Sequence, residues 1–108
     1  MIHFPAPIAA YLEAANANDT RALAACFTAD ALVHDEAREY RGIEAILAWK
    51  AETSTRYRPI VEALHIEGAD RDYRLQARVT GDFPGSPAML AYRFVLSGDC
   101  IASLEVGV

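Results

Sequence analysis

The sequence predicts an α+β domain, with helices at its amino-terminal end and an antiparallel sheet packed against them on one face. Three observations carry this. Apolar residues recur at helical spacing through the first half of the chain. From Pro59 onward they alternate with polar ones, which is the period of strands. Short segments rich in Gly, Pro and Asp separate the alternating runs. The 108 residues read as one domain, 1–108, and a hydrophobic fraction of 53% supplies a core.

The first helix is expected over residues 5–18. Pro5 and Pro7 suit its start, and Ile8, Ala9, Tyr11, Leu12 and Ala15 form its stripe. Asn16 to Asp19 break it, and Asp19 or Thr20 can cap a second helix over 20–27, whose stripe is Leu23, Ala24 and Phe27. The short link makes these two a hairpin. Thr28-Ala29-Asp30 reads as a turn and 31–36 as a short strand. Arg41-Gly42 turns the chain into a third helix, about 43–53, carrying Ile43, Ile46, Leu47 and Trp49. Strands follow over 60–67, 73–80, 88–96 and 101–106. Alternation puts Leu75, Ala77 and Val79 on one face of the second of these. It likewise puts Leu90, Tyr92, Phe94 and Leu96 on one face of the third, with Met89, Ala91, Arg93 and Val95 opposite. The last two strands carry few charges, which leaves room for a second apolar face and a homodimer contact.

Composition excludes several partners. A net charge of −5 disfavours nucleic acid, which needs a basic face. Cations are scattered, so an anionic membrane surface is not expected either. No run approaches the roughly 20 apolar residues of a membrane span, and the first residues lack the pattern of a signal peptide. Two cysteines make no disulfide framework, and Cys26 reads as a small buried hydrophobe. A reducing cytoplasm is the default expectation. Histidines at 3, 34 and 65 show no metal-ligand spacing, and there is no nucleophile elbow, phosphate-cradling loop or CxxC. Chemistry without metal or cofactor is expected.

Four stretches carry a resemblance: "YLEAANANDTRALAACFTADALVHD", "YRGIEAILAW", "VTGDFPGSPAMLAYRFVL" and "CIASLEV". Through them nearly the whole chain resembles the SnoaL-like branch of the nuclear transport factor 2-like superfamily, relatives of ketosteroid isomerases and polyketide cyclases. The resemblance implies a curved sheet wrapped around three helices, a cone with an internal pocket for a hydrophobic small molecule. Isomerases, aldol cyclases, dehydratases, epoxide hydrolases and binding modules share that scaffold, so function rests on the pocket's residues.

Asp35 matches the catalytic aspartate of the isomerase group, at the end of the first strand. Such an acid in apolar surroundings keeps a raised pKa and takes a proton from carbon beside a carbonyl. The plain alternative is an acid that ends the strand and accepts backbone amides. Tyr11 stands to Asp35 as the isomerases' oxyanion tyrosine stands to the base, and is otherwise a core aromatic. The isomerases' second oxyanion donor is a protonated acid. Here the matching place holds Ala91 and Tyr92, and alternation turns Tyr92 inward, a departure that argues against steroid isomerisation. Ligand-binding walls are expected from Trp49, Phe27 and Phe94, and from His65 if its strand phase points it inward. Glu105 is a second acid, set outward by its phase against Leu104 and Val106. His34 should face away from Asp35, and Glu36, Arg38, Glu39 and Arg41 form a solvated rim.

Overall fold

Local signals explain where the helices begin and end. The computed structural model describes residues 3–107. Pro5 precedes α1 (Ala6–Ala17), a proline lies in its first turn, and Asn18 ends it in the left-handed conformation, its N–H returning to Ala14 and Ala15. Asp19 caps α2 (Thr20–Ala25) by accepting the Ala22 N–H at 3.1 Å. The helix stops at Cys26, not Phe27, because Phe27 opens a strand.

That strand, β1 (Phe27–Asp35), absorbs the turn expected at Thr28–Asp30. Between Phe27 and Leu32 it spends five steps against two on its partner, so the turn residues form a bulge within the strand. A strand not foreseen follows, β2 (Arg38–Arg41). Asp35 pairs with Arg38 across Glu36 and Ala37, whose φ values of 53° and 64° make a two-residue hairpin of the primed type. The sequence offered no Asn-Gly there, so the hairpin was hidden. Its residues are largely solvated, as the charged rim was expected to be.

Helix α3 (Ile43–Tyr57) runs four residues beyond the expected Thr53. Arg58 ends it at φ 47° in the place glycine usually takes, and Pro59, next in the chain, bars the helix from continuing. The chain then meanders through β3 (Ile60–Ala69), β4 (Asp72–Thr80), β5 (Ala88–Ser97) and β6 (Cys100–Gly107). One six-stranded sheet results, in the order β2-β1-β6-β5-β4-β3. Its pairs are antiparallel except β1 with β6, so the sheet is mixed.

The sheet is curved and unclosed, and the three helices sit on its concave face to make a cone. Ile8, Leu23, Ile46, Leu75, Phe94 and Ile101 are fully buried where helices meet sheet, each worth about 1.5–3 kcal/mol. Asn16 ties α1 to β3 with two 2.9 Å bonds, its amide donating to the Val61 carbonyl and accepting the Val61 N–H. Gly81 is needed where β4 leaves the sheet, since a Cβ there would stand 2.5 Å from the Tyr57 carbonyl oxygen.

Candidate functional site

The concave face leaves the helices short of one end of the cone, and a cavity of about 360 Å³ opens there. Sheet register decides which strand residues reach it. Asp35 pairs with Val106, and Val106 pairs with Tyr92, so acid and phenol share one row two strands apart. Two strand spacings put their Cα atoms roughly 10 Å apart, and the curvature tilts both side chains toward the same hollow. Leu90, Val79 and Val61 continue the wall along β5, β4 and β3. From α1 come Tyr11 and Ala15, and from α3 a single helical face, Trp49, Lys50, Thr53 and Tyr57. Phe83 and Pro84 of the β4–β5 connection complete the lining, with Phe83 edge-on to Tyr57.

Trp49 donates its indole N–H to Oδ2 of the half-buried Asp35 at 2.9 Å. Asp35 also borders a more polar hollow lined by Glu36, Arg38, Tyr40, Glu52 and Arg56. The acid therefore stands between an apolar chamber and a charged rim. Tyr11 and Tyr92 are both buried, yet among the described residues neither hydroxyl has a protein hydrogen-bond partner. Burial raises the Tyr11 pKa well above the phenol range, and the charges of Tyr92, Asp35 and Cys26 add to it. Burial and then the Asp35 charge do the same to Tyr92. Both phenols are thus held protonated beside a carboxylate, as donors with nothing of the protein's own to donate to.

Asp35, Tyr11, Tyr92 and Trp49, all read from the sequence, meet at this cavity. Three other expected wall residues do not. Phe27 and Phe94 are buried one layer behind, packing edge-on against the Tyr11 ring at 6.0 and 5.6 Å, and Phe94 also stacks on Tyr92. They brace the phenols and leave the wall to them. His65 lies on the outer face, its side chain 62% exposed and 4.0 Å from Glu67. The cause is a register shift between Ala63 and His65: Ala63 opposes inward Ala77, whereas His65 opposes outward Gln76. Glu105 is exposed. His34 takes the opposite face from Asp35, between Glu39 and Glu105 on the neighbouring strands, and its Nδ1 is buried without a partner among the described residues.

Sequence reading missed Lys50, Tyr57 and Phe83. Lys50 was the findable one, because it follows Ile46 by four residues on the inward stripe of α3. Tyr57 lay beyond the expected helix end, and Phe83 sits in a loop where periodicity says nothing. Among the described residues, no group of three or more His, Cys, Asp and Glu side chains is placed to hold a metal ion. No described helix is long and apolar enough to cross a membrane.

Three helices on the concave face of a curved, unclosed sheet, with a hollow at one end, define a class, the nuclear transport factor 2-like fold. Within it, the chain belongs to the SnoaL-like domain family, whose model matches residues 8–97. A candidate polyketide cyclase from Sinorhizobium meliloti is similar at 35% identity over 95% of this chain and 94% of its own, with a TM-score of 0.93. A hypothetical protein of ketosteroid isomerase-like fold from Catenulispora acidiphila, solved with trimethylamine, shares the fold at 24% identity and a TM-score of 0.85, covering 98% and 87% of the two chains. A second candidate polyketide cyclase, from Xanthomonas campestris, shares it at 17% identity and a TM-score of 0.80, covering 93% and 85%. No curated protein matches the chain.

Proposed function

We propose that the cavity binds a hydrophobic carbonyl compound and that Asp35 moves a proton at the carbon beside the carbonyl, as in an isomerisation, cyclisation or dehydration through an enolate. One observation carries the reading: Asp35 and two partnerless phenols line the same apolar chamber. Asp35 as carboxylate takes the proton, and Tyr11 and Tyr92 donate to the oxygen on which negative charge develops. The Trp49 N–H fixes one carboxylate oxygen and leaves the other for the proton. The polar hollow on the far side of Asp35 gives that proton a way to solvent. Similarity to a candidate polyketide cyclase supports the same reaction class.

The test is deuterium exchange at the α-carbon of 2-tetralone in D₂O, followed by proton NMR. Protein-dependent exchange that Asp35→Asn abolishes is the expected result. Saturable binding without any exchange favours the second reading, a binding module in which the Trp49 bond makes Asp35 a structural acid. The reading includes a homodimer formed through the outer face of β5, where Met89 is 56% exposed; sedimentation equilibrium checks it. It also places the protein in the cytoplasm, in keeping with the two free cysteines.

A further inference from the structure

Lys50 is the only lysine in the chain, against nine arginines. Every other side-chain cation is a guanidinium, and the one amine is the cation that the fold buries, at 7% exposure on the cavity face of α3. Among the described residues no carboxylate lies within 4.0 Å of its nitrogen. A buried ammonium without a counter-ion is costly, and the cost falls when the amine gives up its proton. Burial accordingly lowers its pKa. A guanidinium in this place would stay charged and could not act as a nucleophile.

We propose that Lys50 captures an aldehyde or ketone in the cavity as an imine. The inference rests on the reading of the cavity as a carbonyl site, and adds a covalent step to it. The neutral amine adds to the carbonyl carbon, forming the C–N bond while the carbonyl electron pair moves to oxygen, which takes a proton from the surrounding acids. Nitrogen returns one proton to those acids, the hydroxyl takes a second proton from them and leaves as water as the C=N bond closes, and the iminium gives up its remaining N–H proton. Amine and carbonyl thus become imine and water with no oxidant or reductant. Asp35 and the two phenols are the acid–base groups that the dehydration needs, and they line the chamber that Lys50 lines. Apart from Glu36 and Thr53, the remaining wall is aliphatic and aromatic, and about 360 Å³ takes an aryl or medium alkyl group. A protonated imine also draws electrons from the adjacent carbon, so Asp35 would act on a more acidic C–H.

Lys50 also reaches a second hollow between α2 and α3, beside Asn18, Thr20 and Ser54. The experiment therefore tells the two sides apart. Trans-cinnamaldehyde is the probe: its binding is followed by quenching of the single tryptophan, Trp49, and any imine is reduced with cyanoborohydride and located by peptide mapping. We expect saturable quenching, an adduct at Lys50 formed at least tenfold faster than at the terminal amine, and its loss in Leu90→Trp, which fills the cavity. Burial lowers the Lys50 pKa, so capture should set in at lower pH than it does for a solvent-exposed lysine amine. Saturable quenching with no adduct, or with the adduct confined to the terminus, overturns capture by Lys50 while the carbonyl-binding cavity stands. No quenching and no adduct overturns both. A Lys50 adduct undiminished in a folded Leu90→Trp variant places the amine in the second hollow and overturns the proposal.

Discussion

The Nε1 of Trp49 lies 2.9 Å from Oδ2 of Asp35, joining the cavity face of α3 to the last residue of β1. A neutral donor to a carboxylate in a half-buried setting is among the stronger side-chain hydrogen bonds, worth roughly 1.5–3 kcal/mol where water is excluded. Trp49→Phe keeps an aromatic against Tyr40 and removes the donor. It should cost about 1–2 kcal/mol in urea unfolding. Combined with Asp35→Asn, the losses should fall short of additive by about 1 kcal/mol. Strict additivity would show that the bond contributes nothing in solution.

Tyr11 and Tyr92 make the opposite case. Neither hydroxyl bonds to the described protein, so removing one strands no partner. Tyr11→Phe and Tyr92→Phe should each leave stability within about 0.5 kcal/mol of the parent. If the phenols polarise a developing oxyanion, the same changes should slow α-carbon exchange about 10²-fold. A large stability loss with unchanged exchange would make them core residues and nothing more.

Titration gives a third expectation, with opposite signs for two kinds of group. Unfolded tyrosine ionises near pH 10, whereas burial keeps Tyr11 and Tyr92 protonated beyond that. Above about pH 10 the unfolded chain has lost protons that the fold retains, so these residues' contribution to stability is full below that pH and declines as pH rises. Absorbance near 295 nm should show two of the five tyrosines ionising late, together with unfolding. Lys50 works the other way. Its folded value is lowered by burial, so between that value and about 10.4 the unfolded chain holds the extra proton and stability rises with pH. Lys50→Met should therefore be more stable at neutral pH by about 1 kcal/mol, with the advantage narrowing toward pH 10. A destabilised Lys50→Met at neutral pH would mean that the amine is well solvated or paired.

The hairpin after Asp35 holds Glu36 and Ala37 at φ 53° and 64°. Side chains bearing a Cβ reach that region at a cost of roughly 1 kcal/mol each, which glycine avoids. Ala37→Gly should raise stability by about 0.5–1 kcal/mol, and with it the melting temperature. Thermal unfolding by circular dichroism decides this. A fall would mean that the added freedom of glycine in the unfolded chain outweighs the relief of the turn.

Much of the architecture was written into local sequence. Prolines at the start of α1, Asp19 before α2, the stripes through Ile8, Leu23 and Ile46, and the alternation through Leu75 and Tyr92 are signals that a few neighbouring residues produce by themselves. They placed three helices before a sheet, and they turned Tyr11, Tyr92 and Trp49 inward, while the inward place of Asp35 came from the family resemblance. Tertiary structure decided what depends on partners far along the chain. Parallel pairing of β1 with β6 created the bulge at Thr28–Asp30 and put Asp35 in one row with Tyr92. A register shift in β3 sent His65 outward, since one extra residue in a strand reverses every later side chain. The fold also gave the single lysine its place in the cavity wall: its spacing from Ile46 sets it on the inward stripe of α3, but whether that stripe meets packed core or a hollow is decided by what packs beside it, which no local pattern records.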